Sequence, residues 1–172
     1  MAVLGSPNYR VGLIIANAQP FHNGHLRAVT DALMVCDEII ISFKDYNTAY
    51  FNYDINQQIA RIVFDNNKRI SFFGTEFDSS LGTPKHFIER TLEKLKIANY
   101  NMPTHFFTCY DSWIVPAMEL QLETIHLSVL PNTKSNEIFN SILNGTDLWK
   151  EKVPYAAIET IESYIANKNR HF

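Results

Sequence analysis

Val11-Gly12-Leu13-Ile14-Ile15-Ala16-Asn17-Ala18-Gln19-Pro20-Phe21-His22-Asn23-Gly24-His25-Leu26 is the stretch on which the reading of this chain turns. Its first part, continuing from Tyr9 to Ala16, is rich in Val, Leu and Ile and is broken at Gln19-Pro20, which predicts a buried strand ending in a proline turn. From Gly24 to Val35 the residues Leu26, Val29, Leu33 and Met34 recur at helical spacing, with Arg27 and Asp31 four apart on another face. An amphipathic helix is therefore expected, its two charges paired. The first turn of a helix leaves N–H groups without intrahelical partners and carries a partial positive charge, so an anion is favoured there. Gly24 lets a ligand approach the backbone closely, and His22 and His25 each offer a ring nitrogen to it. The residues by themselves admit two readings: a phosphate-binding turn, or a turn with two surface histidines.

The rest of the chain repeats this unit. Glu38 to Phe43, with Ile39, Ile40 and Ile41 in succession, predicts a second buried strand, and Lys44 to Asn52 a polar, aromatic loop. Asn52 or Asp54 caps a helix whose apolar face is Ile55, Ile59, Ile62 and Val63. A third strand at Arg69 to Phe73 is followed by a loop from Gly74 to Pro84 and a helix to about Ile97, with Pro84 in its first turn. His105 to Cys109 reads as a fourth strand, Tyr110 to Leu122 as a loop and short helix, and Thr124 to Leu130 as a fifth strand stopping at Pro131. Helices are expected at Ser135 to Leu143 and Pro154 to Asn167. Such alternation predicts an α/β fold, a Rossmann-like open parallel sheet of about five strands with helices on both faces, in a single domain spanning residues 1–172.

Composition narrows the function. Hydrophobic residues make up 46% of the 172 and charged residues 19%, a globular and soluble balance. The net charge is -3, with lysine and arginine scattered, so no basic stripe offers itself to nucleic acid. Cys36 and Cys109 stand far apart with no Cys-x-x-Cys or Cys/His cluster, which suits a reducing cytoplasm and predicts neither a disulfide framework nor protein ligands for a metal. Met1 to Pro7 lacks the pattern of a signal peptide, and no segment approaches membrane-spanning length.

In open parallel sheets a ligand lies beyond the carboxyl ends of the strands, where strand order reverses. That rule gathers Gln19 to His25, Lys44 to Asn52, Tyr110 to Trp113 and Pro131 to Asn136 into one cleft. Gln19-Pro20-Phe21-His22-Asn23-Gly24-His25-Leu26 resembles the His-x-Gly-His signature of nucleotidyltransferases, most closely in the form found in nicotinamide mononucleotide adenylyltransferases. Phe51 to Ile62 is similar to that family's Asn-Pro-Phe-x-x-x-Glu-Arg segment. Thr133 to Trp149 with Pro154 is similar to its Ser-x-Thr helix, Gly-Asp-Trp turn and Pro-headed last helix. The resemblance implies adenylyl transfer from ATP to nicotinamide mononucleotide, giving NAD and pyrophosphate, in a Rossmann-like domain that uses magnesium. The family it resembles forms dimers, tetramers and hexamers, so a homo-oligomer stays open, while the charge pattern and the lack of a long apolar segment predict neither a nucleic-acid nor a membrane partner. His22 and His25 then bind ATP phosphates, with His25 donating to the α-phosphate and Gly24 permitting the close approach, and Asn17, Ala18, Gln19, Phe21, Asn132 and Thr133 are expected to line the nucleotide site.

Other positions carry paired readings. Asp111, after the fourth strand, is either a carboxylate at the nucleotide or a helix cap. Trp113 either stacks on a flat ring or packs in the core. His86 and His105 read as surface or satisfied core histidines, and Tyr46, Tyr50, Phe51 and Tyr53 as a lid or an interface patch. The chain departs from the family in its arginines. Ala16, Asn17 and Ala18 stand where a Gly-Arg-Phe is usual, Gln57-Gln58 replaces Glu-Arg, and no arginine lies between Arg90 and Arg170. Lys134, beside Asn132 and Thr133 in the loop after strand five, is the expected replacement that meets the triphosphate, and Lys44 is a second candidate. Two alternatives stay open: transfer to another phosphate acceptor, of the cytidylyltransferase or pantetheine phosphate adenylyltransferase type, or nucleotide binding with turnover lost.

Overall fold

A computed structural model describes residues 8–45, 49–76 and 82–170. The expectations for Met1 to Pro7, for Tyr46 and for the middle of the loop from Gly74 to Pro84 therefore lie outside the described residues. Strand β1 (Val11–Ala16) is buried at every position but Ile15, because a parallel strand stands on either side of it. β2 (Glu38–Asp45) pairs with it from Val11 opposite Glu38 to Ala16 opposite Phe43, and β4 (His105–Thr108) from Gly12 opposite His105 to Ile14 opposite Phe107. β3 (Ile70–Glu76) lies outside β2 and β5 (Glu123–His126) outside β4, giving the order β3-β2-β1-β4-β5 with all pairs parallel. The chain runs outward from β1 to β3 and returns to lay β4 against β1, so the order reverses between β1 and β4. That reversal opens a crevice at their carboxyl ends.

Among the described residues six α-helices cover the sheet: α1 (Asn23–Leu33), α2 (Tyr53–Val63), α3 (Pro84–Ile97), α4 (Ile114–Glu119), α5 (Ser135–Leu143) and α6 (Ile158–Asn169). Strand alternation divides the core between two faces. Ile14 and Ala16 pack with Val29 of α1, Ile59 of α2, Ile138 of α5 and Ile161 of α6, while Val11, Leu13 and Ile15 pack with Ile88 and Leu95 of α3 and Ala117 of α4. Asn52 caps α2 by accepting from the Ile55 N–H, and Thr83 caps α3 by accepting from the His86 N–H.

The α/β architecture, the parallel sheet and the two helical layers are those expected from the alternation. Several boundaries differ. β5 ends at His126 rather than Leu130, because its only neighbour, β4, ends at Thr108; after the Leu127 N–H donates to the Thr108 carbonyl at 2.8 Å there is no strand left to pair with. β2 and β3 run further than expected, since Lys44 and Asp45 pair with Thr75 and Glu76. Lys44 is thus a strand residue. α6 begins at Ile158, after a 3₁₀ turn at Tyr155–Ala157 that follows Pro154.

Gly12 sits where sheet and helix layers close. A Cβ there would lie 2.7 Å from Ile39 Cδ1, 2.8 Å from Phe107 Cε2 and 3.2 Å from Cys36 Sγ, all buried side chains with little room to yield. Gly12→Ala is expected to lower unfolding free energy by about 1–3 kcal/mol, as over-packed cores do. Urea unfolding measures this, and an unchanged midpoint would contradict it.

Candidate functional site

The turn from Ala18 to Phe21 is held by one buried side chain. Asn56, on the inward face of α2, accepts from the Phe21 N–H at 2.9 Å, and its amide nitrogen lies 3.0 Å from each of the Ala18, Phe51 and Asn52 carbonyl oxygens. Its two amide hydrogens are shared among three acceptors, so the buried group is fully used. Gln19 completes the clasp: its side chain donates to the Phe51 carbonyl at 2.9 Å and accepts the Phe51 N–H at 3.2 Å. Phe21, fully buried, stacks on His25 and packs edge-on against Phe43 and Phe64. Gln19 and Phe21, both expected near a nucleotide, therefore shape the turn from within.

His22 is the N-cap of α1. Its Nδ1 accepts from the Gly24 N–H at 3.1 Å, and its own N–H donates to His25 Nδ1 at 3.3 Å, a reciprocal capping box built from two imidazoles. With both Nδ1 atoms accepting, each ring carries its proton on Nε2. His22 Nε2 donates to Ser135 Oγ at 3.0 Å, and Ser135 Oγ donates to the Asn17 carbonyl at 2.8 Å. One chain of hydrogen bonds thus joins the end of β1 to the starts of α1 and α5. The two rings lie 3.9 Å apart. Burial lowers the His22 pKa to about 4, and burial together with His22 puts that of His25 well below the ordinary value, so both are neutral donors at neutral pH. His25 is partly exposed, and its Nε2–H has no partner among the described residues. At Gly24 a Cβ would lie 2.9 Å from both His22 Cε1 and Thr133 Oγ1, so only glycine fits between the ring and the loop.

A cleft of about 220 Å³ opens at the strand-order reversal. Ile15 and Asn17 line it from β1, Lys44 from β2, Phe106 and Thr108 from β4, and Tyr110 and Trp113 from the segment beyond. Trp113 packs against Phe106 at 6.1 Å and Phe87 at 6.0 Å and also lines the cleft. Lys44 Nζ lies 4.8 Å from the centre of the Trp113 ring and 5.4 Å from that of Phe87, and burial lowers its pKa. A larger groove of about 300 Å³ runs between α2 and α6, past Gln58 and Glu159, away from the strand ends.

Of the remaining candidates, Asp111, Lys134, Asn132, Thr133 and Ala18 do not line the cleft. Asp111 opens the 3₁₀ turn Asp111–Trp113 with no capping bond, and its exposed carboxylate pairs with His126 at 3.3 Å. Lys134 precedes α5 with its ammonium exposed and 3.8 Å from Glu137. Asn132 is exposed in the left-handed region, with φ 59, while Thr133 is buried and donates to the Leu130 carbonyl at 2.7 Å. Ala18 is buried beside its Asn56 bond, and Asn17 is exposed at the cleft mouth. His105 is a satisfied core histidine, bonded to Thr104 and Glu123, and Arg27 pairs with Asp31 at 2.8 Å. Sequence reasoning missed Asn56, whose one signal is a polar residue in helical register with Ile59, Ala60 and Val63. It also left Ser135 without a role. Among the described residues no group of three or more His, Cys, Asp or Glu stands together as a metal ion would require. Among the same residues no helix is long and apolar enough to cross a membrane.

No family model matches the sequence, and no curated protein matches it. Solved structures do share the fold. A bifunctional NMN adenylyltransferase/ADP ribose pyrophosphatase from Francisella tularensis, complexed with AMP and a manganese ion, superposes with a TM-score of 0.64 at 15% identity over 94% of this chain and 53% of that one. A NadR protein in complex with NAD and AMP-PNP superposes with a TM-score of 0.62 at 12% identity over 86% of this chain and 45% of that one. The chain spans about half the length of these structures. At such identities the likeness is one of fold.

Asn56→Ala is expected to leave the Phe21 N–H and the Ala18 carbonyl without their partner, at about 1–3 kcal/mol for each group orphaned. A single unfolding curve that loses less than the lower figure would show that water repairs the turn. The histidines give a pH dependence of fixed sign. Since the folded pKa lies below the unfolded value, the unfolded chain takes up protons first on acidification. Stability is then flat above about pH 6.5 and falls below it, by up to about 1.4 kcal/mol per pH unit from His22 until its folded pKa of about 4. Urea midpoints measured across this range, with His22→Gln flattening its share of the slope, check the assignment.

Proposed function

We propose that this protein transfers an adenylyl group from ATP to a nucleotide phosphate of the nicotinamide mononucleotide type, releasing pyrophosphate. The observation that carries the proposal is the His22-Asn23-Gly24-His25 cap of α1, set at the carboxyl end of β1 beside the cleft where strand order reverses. A neutral imidazole at a helix N-terminus, here that of His25, is suited to a phosphate, because it donates a hydrogen bond without the desolvation penalty of a buried charge. The fold neighbours described as NMN adenylyltransferase and as a NadR protein holding NAD and AMP-PNP support the same reading.

In the reaction an acceptor phosphate oxygen bonds to the α-phosphorus of ATP while the bond to pyrophosphate breaks. Little covalent help is needed; positioning and stabilisation of the equatorial oxygens suffice. His25 Nε2–H is the donor available to an α-phosphate oxygen, and Gly24 allows the approach. His22, its tautomer set by Gly24 and Ser135, keeps the His25 ring in place and borders the phosphates. Lys134 leaves its exposed partner Glu137 to meet the triphosphate, a small loss for a surface pair. Magnesium arrives on the phosphates of ATP as part of the substrate.

A second reading, nucleotide binding without turnover, is favoured by one observation: no arginine lies between Arg90 and Arg170. Incubation with ATP, magnesium and a panel of acceptors, including nicotinamide mononucleotide, phosphopantetheine and alcohol phosphates, separates the readings by pyrophosphate release. Turnover is expected with the nicotinamide-type acceptor, falling by about 100-fold or more in His25→Ala, as loss of a transition-state donor does. A rise in melting temperature with ATP but no pyrophosphate from any acceptor would replace this reading with the second.

A further inference from the structure

We propose that Asn56 and Gln19 are positioning residues for the transfer: they touch no reacting group, and they set the His25 ring as a donor by fixing the backbone that holds it. The inference rests on the function proposed above and deepens it. Neither side chain lines the cleft at the strand-order reversal. Asn56 is 2% exposed, and its bonds end on backbone groups of the turn and of the start of α2. An apolar side chain in that register would continue the buried face of Ile55, Ile59 and Ala60, so the amide is spent on the turn rather than on the helix.

The His25 ring has three holds. Its Nδ1 accepts from the His22 N–H at 3.3 Å, its plane stacks on Phe21 with ring centres 5.3 Å apart, and the His22 ring lies 3.9 Å away. Two of these pass through Phe21: the peptide joining Phe21 to His22 carries the N–H that His25 accepts, and the Phe21 ring is the stacking partner. At its other peptide Phe21 is fixed by Asn56, whose Oδ1 accepts from the Phe21 N–H at 2.9 Å. Only the two backbone dihedral angles of Phe21 separate these planar peptides, so release of the Asn56 bond frees both the His22 N–H and the Phe21 ring to turn. Gln19 braces the same clasp, its amide reaching at 2.9 Å the Phe51 carbonyl that Asn56 also reaches at 3.0 Å. The proton stays on His25 Nε2 only while Nδ1 accepts, so the hold on the backbone is also a hold on the tautomer. At 3.3 Å that bond is long, and it is the first to be lost when the turn shifts.

Long-range proton–nitrogen spectra of the imidazoles read the tautomer directly, on the whole chain at neutral pH without nucleotide, with His25→Ala assigning the signal. The wild type is expected to show His25 with its proton on Nε2 alone. Asn56→Ser is expected to show it as a mixture of tautomers, while His22, held by Gly24 and Ser135, keeps its own, and Gln19→Ala to move His25 the same way to a smaller extent. With ATP, magnesium and the acceptor that turns over, kcat is expected to fall about 10-fold or more in Asn56→Ser with KM for ATP little changed, the scale of a donor displaced by less than about 1 Å. The same change in a His25→Ala background is expected to lower kcat no further, because both act through one group. A role confined to stability would leave the His25 signal and kcat of folded Asn56→Ser as in the wild type. That result, a mixed tautomer in the wild type, or equal losses in both backgrounds would each overturn the proposal. If Asn56→Ser does not fold, Gln19→Ala decides, since Gln19 is partly exposed and water can take over its bonds; an unshifted His25 signal there overturns the proposal. A His25 tautomer that follows Asn56, with no pyrophosphate released by the wild type, would sustain the positioning and remove the proposed turnover.

Discussion

The N-terminal cap of α1 is the interaction on which this structure depends. Helix starts are usually closed by a hydroxyl or carboxylate, whereas here the closing groups are the imidazoles of His22 and His25, each spending Nδ1 on a backbone N–H. That choice fixes both rings in one tautomer and leaves the His25 Nε2–H as the outward donor. Because His22 passes its proton bond to Ser135, and Ser135 to the Asn17 carbonyl, the cap also fastens the loop after β5 to the end of β1. The same atoms thus serve the fold and the proposed chemistry.

Such a site has geometry in plenty and little charge. Burial keeps both histidines neutral, Lys134 faces Glu137, and Asp111 faces His126. The cation that lines the cleft, Lys44, lies over rings rather than beside the histidine cap. The turn is shaped by neutral amides, Asn56 and Gln19, which orient carbonyls and N–H groups without adding a field.

Elements in this chain were legible wherever the signal was local. Parallel strands buried on both faces appear as continuous runs such as Ile39-Ile40-Ile41, and the helices between them keep their 3.6-residue spacing, so order and class could be read directly. Strand ends could not, because a strand stops where its neighbour stops: β5 halts with β4, and β2 lengthens with β3. The histidine turn was legible for the same local reason, whereas Asn56 and Ser135 act across 35 and 113 residues and leave no periodic trace. Lys134 shows the converse. Its position in the loop after β5 suggested a phosphate ligand, a role that its exposed ammonium, 3.8 Å from Glu137 one turn along α5, does not display by itself.

A phosphate end poor in cations is compatible with the proposed transfer for a reason of charge balance. Magnesium carried by ATP neutralises much of the triphosphate before it reaches the protein, so the site must chiefly place the α-phosphorus and supply donors to its oxygens. In the proposed transfer the neutral His25 Nε2–H does this as a fixed dipole that needs no reorganisation. The sheet itself separates the two features, since adjacent residues Phe43 and Lys44 must face opposite sides: one packs the histidine turn and the other borders the cleft.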